Sequence, residues 1–296
     1  MTETTFSLNG HAIHRMGFGA MQLPGPGVWG PPRDRDEAIA VLRRAVELGV
    51  DHIDTSQYYG PDVANELIRD ALYPYPEGLR IVTKVGANRG PNAEWLPALR
   101  PDELRAGVED NLRTLRLERM DYVNLRLLAG EVEAQGDAPT LAESLGALVD
   151  LREEGKVDLI GMSAVTVADL DEASALTEIA GVQNSFNLLD RTNADVLEAT
   201  RERGMAFVPF FPLGSAFGEG HGRIADQPAV QQVAQKHDAT PAQVALAWLL
   251  QLSPNILLIP GTSSLNHLEE NLAAAKLDLD DEDRDALEAR CLMPDA

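Results

Sequence analysis

Lys84 is the first residue whose setting asks for a chemical explanation. The chain has only four lysines, at 84, 156, 236 and 276, and three of them lie in polar surroundings. Lys84 instead sits inside the apolar run Ile81-Val82-Thr83-Lys84-Val85. An ammonium group buried there needs a carboxylate partner or must give up its proton. A carboxylate is available in Asp54, which ends the preceding apolar run Val50-Asp51-His52-Ile53-Asp54. Tyr59 follows shortly after it, and then Gly60. A phenol has a reference pKa of about 10, and a cation beside it favours the phenolate. A tyrosine tuned in this way can give a proton to a carbonyl oxygen while a hydride reaches the carbon. Asp54, Tyr59 and Lys84 therefore make sense as anchor, acid and tuner. A purely structural buried ion pair is the competing reading. The six histidines, at 11, 14, 52, 221, 237 and 267, show no metal-binding spacing, and His52 reads as a core residue of its strand.

These side chains need a frame that brings strand ends together. Phe6-Ser7-Leu8 and Ala12-Ile13-His14 flank Asn9-Gly10, which predicts a tight hairpin. After it, short apolar runs alternate with helical patterns. The predicted strands are 17–21, His52–Asp54, 81–85, 122–127, 159–162, 181–183, Ala206–Phe210 and 256–259. The predicted helices are 35–48, 64–72, Pro101–Leu115, 140–154, 166–177, 194–203, Pro241–Leu252 and 265–275, with 278–290 as an extra acidic C-terminal helix. Ser, Thr and Asp stand at several helix starts, and Gly49, Gly155 and Gly204 stand just past helix ends. Eight such units with no change of composition predict an α/β fold, a (β/α)8 TIM barrel formed as a single domain over residues 1–296. The hairpin would close its N-terminal end. A doubly wound sheet is disfavoured, because Gly17-Phe18-Gly19 lacks the third glycine and the immediate helix of a dinucleotide turn. In a barrel, neighbouring strand ends face one mouth, so Asp54 can face Lys84 there. The long segments 22–35 and 213–226, the latter with Gly214, Gly218, Gly220 and Gly222, are candidate lids on that face.

Composition narrows the partners. The 296 residues carry 47 acidic and 25 basic side chains, a formal charge of −22. So acidic a chain repels nucleic acid and anionic membrane, leaving a small molecule as the expected partner. A single cysteine, Cys291, excludes an internal disulfide and suits a reducing cytoplasmic setting. No run of about 18 apolar residues suggests a membrane span.

Several segments, in order along the whole chain, resemble the aldo-keto reductases. Asp54-Thr55-Ser56-Gln57-Tyr58-Tyr59-Gly60 is similar to their Asp-Thr-Ala-x-x-Tyr-Gly, and Thr83-Lys84 to their lysine strand. Gly161-Met162-Ser163 resembles Gly-Val-Ser-Asn, and Val182-Gln183-Asn184-Ser185-Phe186-Asn187 resembles Val-Gln-Asn-x-Tyr-Asn. Pro209-Phe210-Phe211-Pro212-Leu213-Gly214 resembles Ala-Tyr-Ser-Pro-Leu-Gly. Ile259-Pro260-Gly261-Thr262-Ser263 and Glu270-Asn271 resemble the family's cofactor-clamping end. The resemblance implies the barrel, the cofactor NADP(H), and reduction of an aldehyde or ketone to an alcohol. It implies that Asp54, Tyr59 and Lys84 are three members of a catalytic tetrad. Ser163 and Gln183 would hold the nicotinamide carboxamide, and Phe210 would stack on its ring. Pro212, Leu213 and Gly214 would follow the pyrophosphate. In the clamping segment, which also holds Gly261 and Thr262, Ser263 and His267 would meet the 2′-phosphate, and Glu270 and Asn271 the adenine.

The departures are informative. The family's fourth member is a histidine at the end of the fourth strand, and simple alignment puts Ala129 there. Asn124 and Arg126 are polar residues in that strand, either donors to substrate or members of a network on the helix side. Ala164 replaces the usual asparagine after Ser163, and His267 stands where many relatives have arginine. The first lid, with 124–126, 210–214 and 255–264, resembles a bacterial branch that includes pyridoxal reductases and shares the missing histidine. That implies pyridoxal as substrate, with Trp29 and Tyr58 as stacking surfaces. A barrel that binds nicotinamide cofactor as a sensor, and an isomerase or lyase on the same fold, fit the same residues.

Overall fold

The computed structural model describes residues 4–127, 138–214 and 224–291. Strands β1 (Thr5–Leu8) and β2 (His11–His14) pair antiparallel around Asn9-Gly10, both at positive φ (49° and 81°), as a tight hairpin demands. Seven strands then form one parallel sheet: β3 (Phe18–Gly19), β4 (His52–Asp54), β5 (Arg80–Val85), β8 (Met120–Arg126), β9 (Val157–Ser163), β10 (Gly181–Ser185) and β11 (Ala206–Phe210). They lie side by side in chain order. Between β5 and β8 comes a small antiparallel hairpin of β6 (Ala87–Arg89) and β7 (Trp95–Pro97).

The eighth position is filled differently from the expected strand 256–259. That segment makes only isolated parallel bridges, Phe207 with Ile256 on one side and Met16 with Leu258 on the other. The Leu257 N–H donates to Phe207 O, and the Gly17 N–H to Leu258 O. The segment thus touches both β11 and the start of β3, and the sheet closes as a (β/α)8 barrel. The expected strand 17–21 is likewise cut to two residues, because a 3₁₀ turn begins at Ala20.

The helices form where the sequence supplies their first-turn acceptors. In α1 (Arg35–Glu47), the Asp34 carboxylate accepts from the Glu37 N–H at 3.0 Å. Thr140, Thr166 and Thr240 make reciprocal caps with Glu143, Asp169 and Gln243 at the starts of α4 (Leu141–Glu153), α5 (Val167–Leu176) and α8 (Pro241–Leu252). The remaining helices are α2 (Val63–Leu72), α3 (Pro101–Leu115), α6 (Ala194–Glu202), α7 (Pro228–Lys236), α9 (Leu265–Ala273) and α10 (Asp281–Cys291). No helix among the described residues is long and apolar enough to cross a membrane.

Two apolar clusters flank the sheet. The larger fills the space between strands and helices. The smaller lies inside the barrel and includes Tyr122, Leu159, Val208 and Leu257, with Leu8 and Ile13 of the hairpin plugging it from below. Arg15 is buried at the same end and donates to the carbonyls of Ile256 (3.0 Å), Leu250 (2.7 Å) and Ser253. The bottom of the barrel is therefore sealed, and the chemistry is confined to the opposite mouth.

Candidate functional site

Asp54 is the last residue of β4, and the register pairs it with Gly19 on one side and Val82 on the other. Lys84 lies two residues past Val82 and reaches back to it. Its Nζ donates to Asp54 Oδ1 at 2.5 Å and to Thr55 O at 3.0 Å. Both side chains are about 95% buried, with 5% exposure each. The other carboxylate oxygen, Oδ2, accepts from Gln183 Nε2 at 2.9 Å. The alternating neighbours explain why these groups face inward. Thr55 and Thr83 point outward into a buried polar network with Asn65 and Asn111 of α2 and α3. Thr55 Oγ1 donates to Asn65 Oδ1 at 2.9 Å, and Thr83 Oγ1 to Asn111 Oδ1 at 2.8 Å. Strand alternation then turns Asp54 and Lys84 to the interior.

Tyr59 sits in the loop after β4, where its N–H donates to Ser56 O at 3.0 Å. Its side chain is buried, and the Lys84 ammonium lies 5.2 Å from the ring centroid. Tyr59, Asp54 and Gln183 line one cleft with Phe210, Phe211, Pro212, Leu213, Gly214 and Gly261. The cleft has a defined floor where two backbones touch. A Cβ on Gly261 would lie 2.5 Å from Gly19 O, so only glycine permits that approach.

The strand β8 decides between the two faces that the sequence left open for Asn124 and Arg126. Asn124 and Arg126 do not face the helices. Asn124 pairs in register with Lys84, and its side chain lines the barrel interior beside Tyr122, Asp54 and Gln183. Arg126 shares its parity, pairs in register with Ser163, and interacts electrostatically with Tyr59 and Asp54. Its Nε and Nη2 are shielded from solvent and have no hydrogen-bond partner among the described residues. Ala129, the position taken for the missing histidine, lies outside the described residues, as do Gly218, Gly220, Gly222 and His221.

Other expected positions divide. Ser163 ends β9 and is buried, next to Gln183 in register. Ala164 follows at φ 59°, a left-handed conformation that costs alanine about 1 kcal/mol and that asparagine tolerates. Ala164→Asn is expected to raise the melting temperature by about 2 °C, as read by thermal unfolding. Thr262 is buried and accepts from the Ser264 N–H at 3.1 Å. Ser263 and His267 are exposed at and just inside the start of α9, Glu270 is half-buried and Asn271 is buried. Tyr58 is half-buried near Asp110, Asp62 and Glu103, and burial pushes its phenol up. Trp29 does reach the mouth region, and it lies in a first lid that is packed rather than loose. Leu23 and Val28 are buried, and the Gly30 N–H donates to Gly60 O at 3.1 Å, docking the lid beside Tyr59. Of the second lid, only 213–214 and 224–226 are described.

The hairpin β6–β7 adds two residues that sequence reasoning passed over. Trp95 meets Tyr59 edge-on at 6.5 Å, and both Arg126 (4.5 Å) and Arg89 (4.3 Å) lie over its ring. Gly86, at φ 104°, lets this hairpin turn against β8, since a Cβ there would be 2.5 Å from Arg126 O.

The residues fit a nicotinamide. Gln183 Oε1 is buried in the cleft with no partner among the described residues, so it can accept from a carboxamide NH₂. Phe210 is half-buried at the lip and offers a ring face.

Residues 15–290 match the Aldo/keto reductase family. The chain is 51% identical to pyridoxine 4-dehydrogenase of Escherichia coli, over 95% of this chain and 96% of that protein. It is 40% identical to an uncharacterized oxidoreductase of Schizosaccharomyces pombe, over 94% of this chain and 87% of that one. Among solved structures, an aldo-keto reductase from Klebsiella pneumoniae in complex with NADPH superposes with a TM-score of 0.81 at 23% identity, covering 100% of this chain and 97% of that chain.

Proposed function

This chain belongs to the aldo/keto reductase family, and on that premise we propose that it is an NADPH-dependent oxidoreductase that reduces an aldehyde, pyridoxal first among candidates, to the alcohol. The observation that carries the reading is the buried chain from Gln183 through Asp54 to Lys84, ending beside the Tyr59 ring. Pyridoxal enters through the likeness to the E. coli pyridoxine dehydrogenase, and NADPH through the Klebsiella complex. The single cysteine agrees with a cytoplasmic enzyme, and the run of barrel units agrees with one domain.

The cleft lined by Gln183 and Phe210 would hold a reduced nicotinamide, which would supply the hydride for the carbonyl carbon. Gln183 and Ser163 would orient its carboxamide, and Phe210 would cover its ring. Tyr59 gives the proton to the carbonyl oxygen as negative charge develops there. Lys84 stabilises the phenolate left behind, and Asp54 holds Lys84 in place. Arg126 presents donors on the same wall, at the corner for which the alignment offered Ala129. Closure of the barrel floor and packing of the first lid exclude water from the reacting atoms.

Ser263 and His267, exposed near the start of α9, would donate to a 2′-phosphate there, a favourable position for an anion. Because the site is exposed, His267→Ala is expected to raise the KM for NADPH by about fivefold and leave that for NADH nearly unchanged. Steady-state kinetics with both cofactors check this; equal effects remove His267 from the phosphate site. Stopped-flow NADPH oxidation with a panel of aldehydes tests the function itself. Cofactor binding with no turnover on any aldehyde would point to a sensor barrel, and turnover without cofactor to an isomerase.

A further inference from the structure

Arg126 and Arg89 form an arrangement that the reduction alone does not explain. The two guanidinium groups lie 4.5 and 4.3 Å from one Trp95 ring centroid, and Arg89 also lies 5.1 Å from that of Trp29. Two like charges held against one ring repel, and a bound anion would relieve that repulsion. The chain has 47 acidic side chains, yet neither arginine forms an ion pair with one among the described residues. The carboxylates they sense are engaged elsewhere. Asp54, felt by Arg126, is held by Lys84 and Gln183. Glu94, felt by Arg89, accepts from the Asn92 N–H at 2.8 Å. Arg89 makes one long bond, from Nη2 to Gly27 O at 3.3 Å. Its Nε, and the Nε and Nη2 of Arg126, are buried without partners among the described residues. Buried guanidinium donors left unpaired are costly, and a carboxylate, phosphate or phenolate oxygen satisfies them best. The same Trp95 meets Tyr59 edge-on, so the two arginines lie on the side of the mouth that holds Tyr59.

We propose that Arg126 and Arg89, set against Trp95, form an anion subsite that makes the enzyme selective for carbonyl substrates carrying an ionised oxygen. The proposal rests on the carbonyl-reductase reading and deepens it. Arg126, nearer Tyr59, suits an oxyanion adjacent to the carbonyl, such as the ionised 3-hydroxyl of a pyridoxal-type aldehyde. Arg89, out beside Trp29, suits a carboxylate or phosphate farther along the substrate. The Trp95 and Trp29 rings hold the guanidinium groups in place before a ligand arrives.

The test is kcat/KM for matched aldehydes with wild type, Arg126→Met, Arg89→Met and Arg89→Lys. The pairs are pyridoxal with its 3-O-methyl ether, 4-carboxybenzaldehyde with benzaldehyde, and pyridoxal 5′-phosphate with pyridoxal. In at least one pair the more anionic member should be favoured by about 10-fold or more, mostly through KM. That preference should shrink to about twofold when the matching arginine becomes methionine, and Arg89→Lys should restore part of an Arg89-dependent one. The pair that responds identifies the source of the charge. Equal rates within every pair, or a preference that survives both methionine variants, would overturn the proposal. If no aldehyde is reduced, tryptophan fluorescence titration with 4-(hydroxymethyl)benzoate and with benzyl alcohol still decides. Anion-selective binding lost in Arg89→Met and Arg126→Met supports the subsite while the reductase reading falls. No selective binding ends both.

Discussion

Tyr59→Phe is expected to lower turnover by roughly 10²–10⁴-fold while NADPH affinity changes by less than about twofold. The substitution removes one hydroxyl and keeps the ring, so the edge-on contact with Trp95 and the Lys84 ammonium over the ring are retained. Fold and cofactor cleft should survive. What disappears, on the proposed mechanism, is the proton donor to the alkoxide forming on the substrate. NADPH fluorescence titration beside single-turnover oxidation separates these effects. Full activity in the variant means that the acid is another group.

Lys84→Met should cost as much activity and, unlike Tyr59→Phe, much stability. In the proposed mechanism Lys84 stabilises the Tyr59 phenolate, and it is also half of a buried pair at 2.5 Å. Methionine fills similar space but leaves the Asp54 carboxylate buried with Gln183 as its remaining side-chain partner. Breaking a buried pair by removing one member costs about 3–5 kcal/mol. The melting temperature should fall by on the order of 10 °C. Rates measured well below the new transition still show the catalytic loss. A stable variant with lost activity would mean that Asp54 has taken up a proton or a water; a stable and active one would make the pair dispensable.

The barrel was readable because its units repeat and its helix starts carry ordinary chemistry, such as Thr140 with Glu143 and Thr240 with Gln243. The eighth strand was overread: 256–259 is as apolar as its neighbours, but closure there needs only bridges to Phe207 and Met16. Helix α7 was missed although Pro228 at its start and Ala229, Val230, Val233 and Ala234 on one face were visible. In β8 the difficulty is physical. A strand buried on both faces has no apolar alternation to fix parity, so neither face could be assigned to Arg126 from sequence. The β6–β7 hairpin has three-residue strands and a polar tip, too short to announce themselves, yet it carries Trp95 and Arg89 to the mouth. Asp54, Tyr59 and Lys84 were legible because a lone lysine in an apolar strand is costly and needs a reason.

The most direct test of the account follows an isotope from cofactor to product. The enzyme is incubated with pyridoxal and NADPH deuterated at the transferable position, and the product is read by mass spectrometry and NMR. The account predicts pyridoxine carrying deuterium on its new hydroxymethyl carbon, formed in step with NADPH consumption and suppressed in Tyr59→Phe. Alcohol without deuterium, or cofactor bound and never consumed with pyridoxal or any other aldehyde, would contradict it.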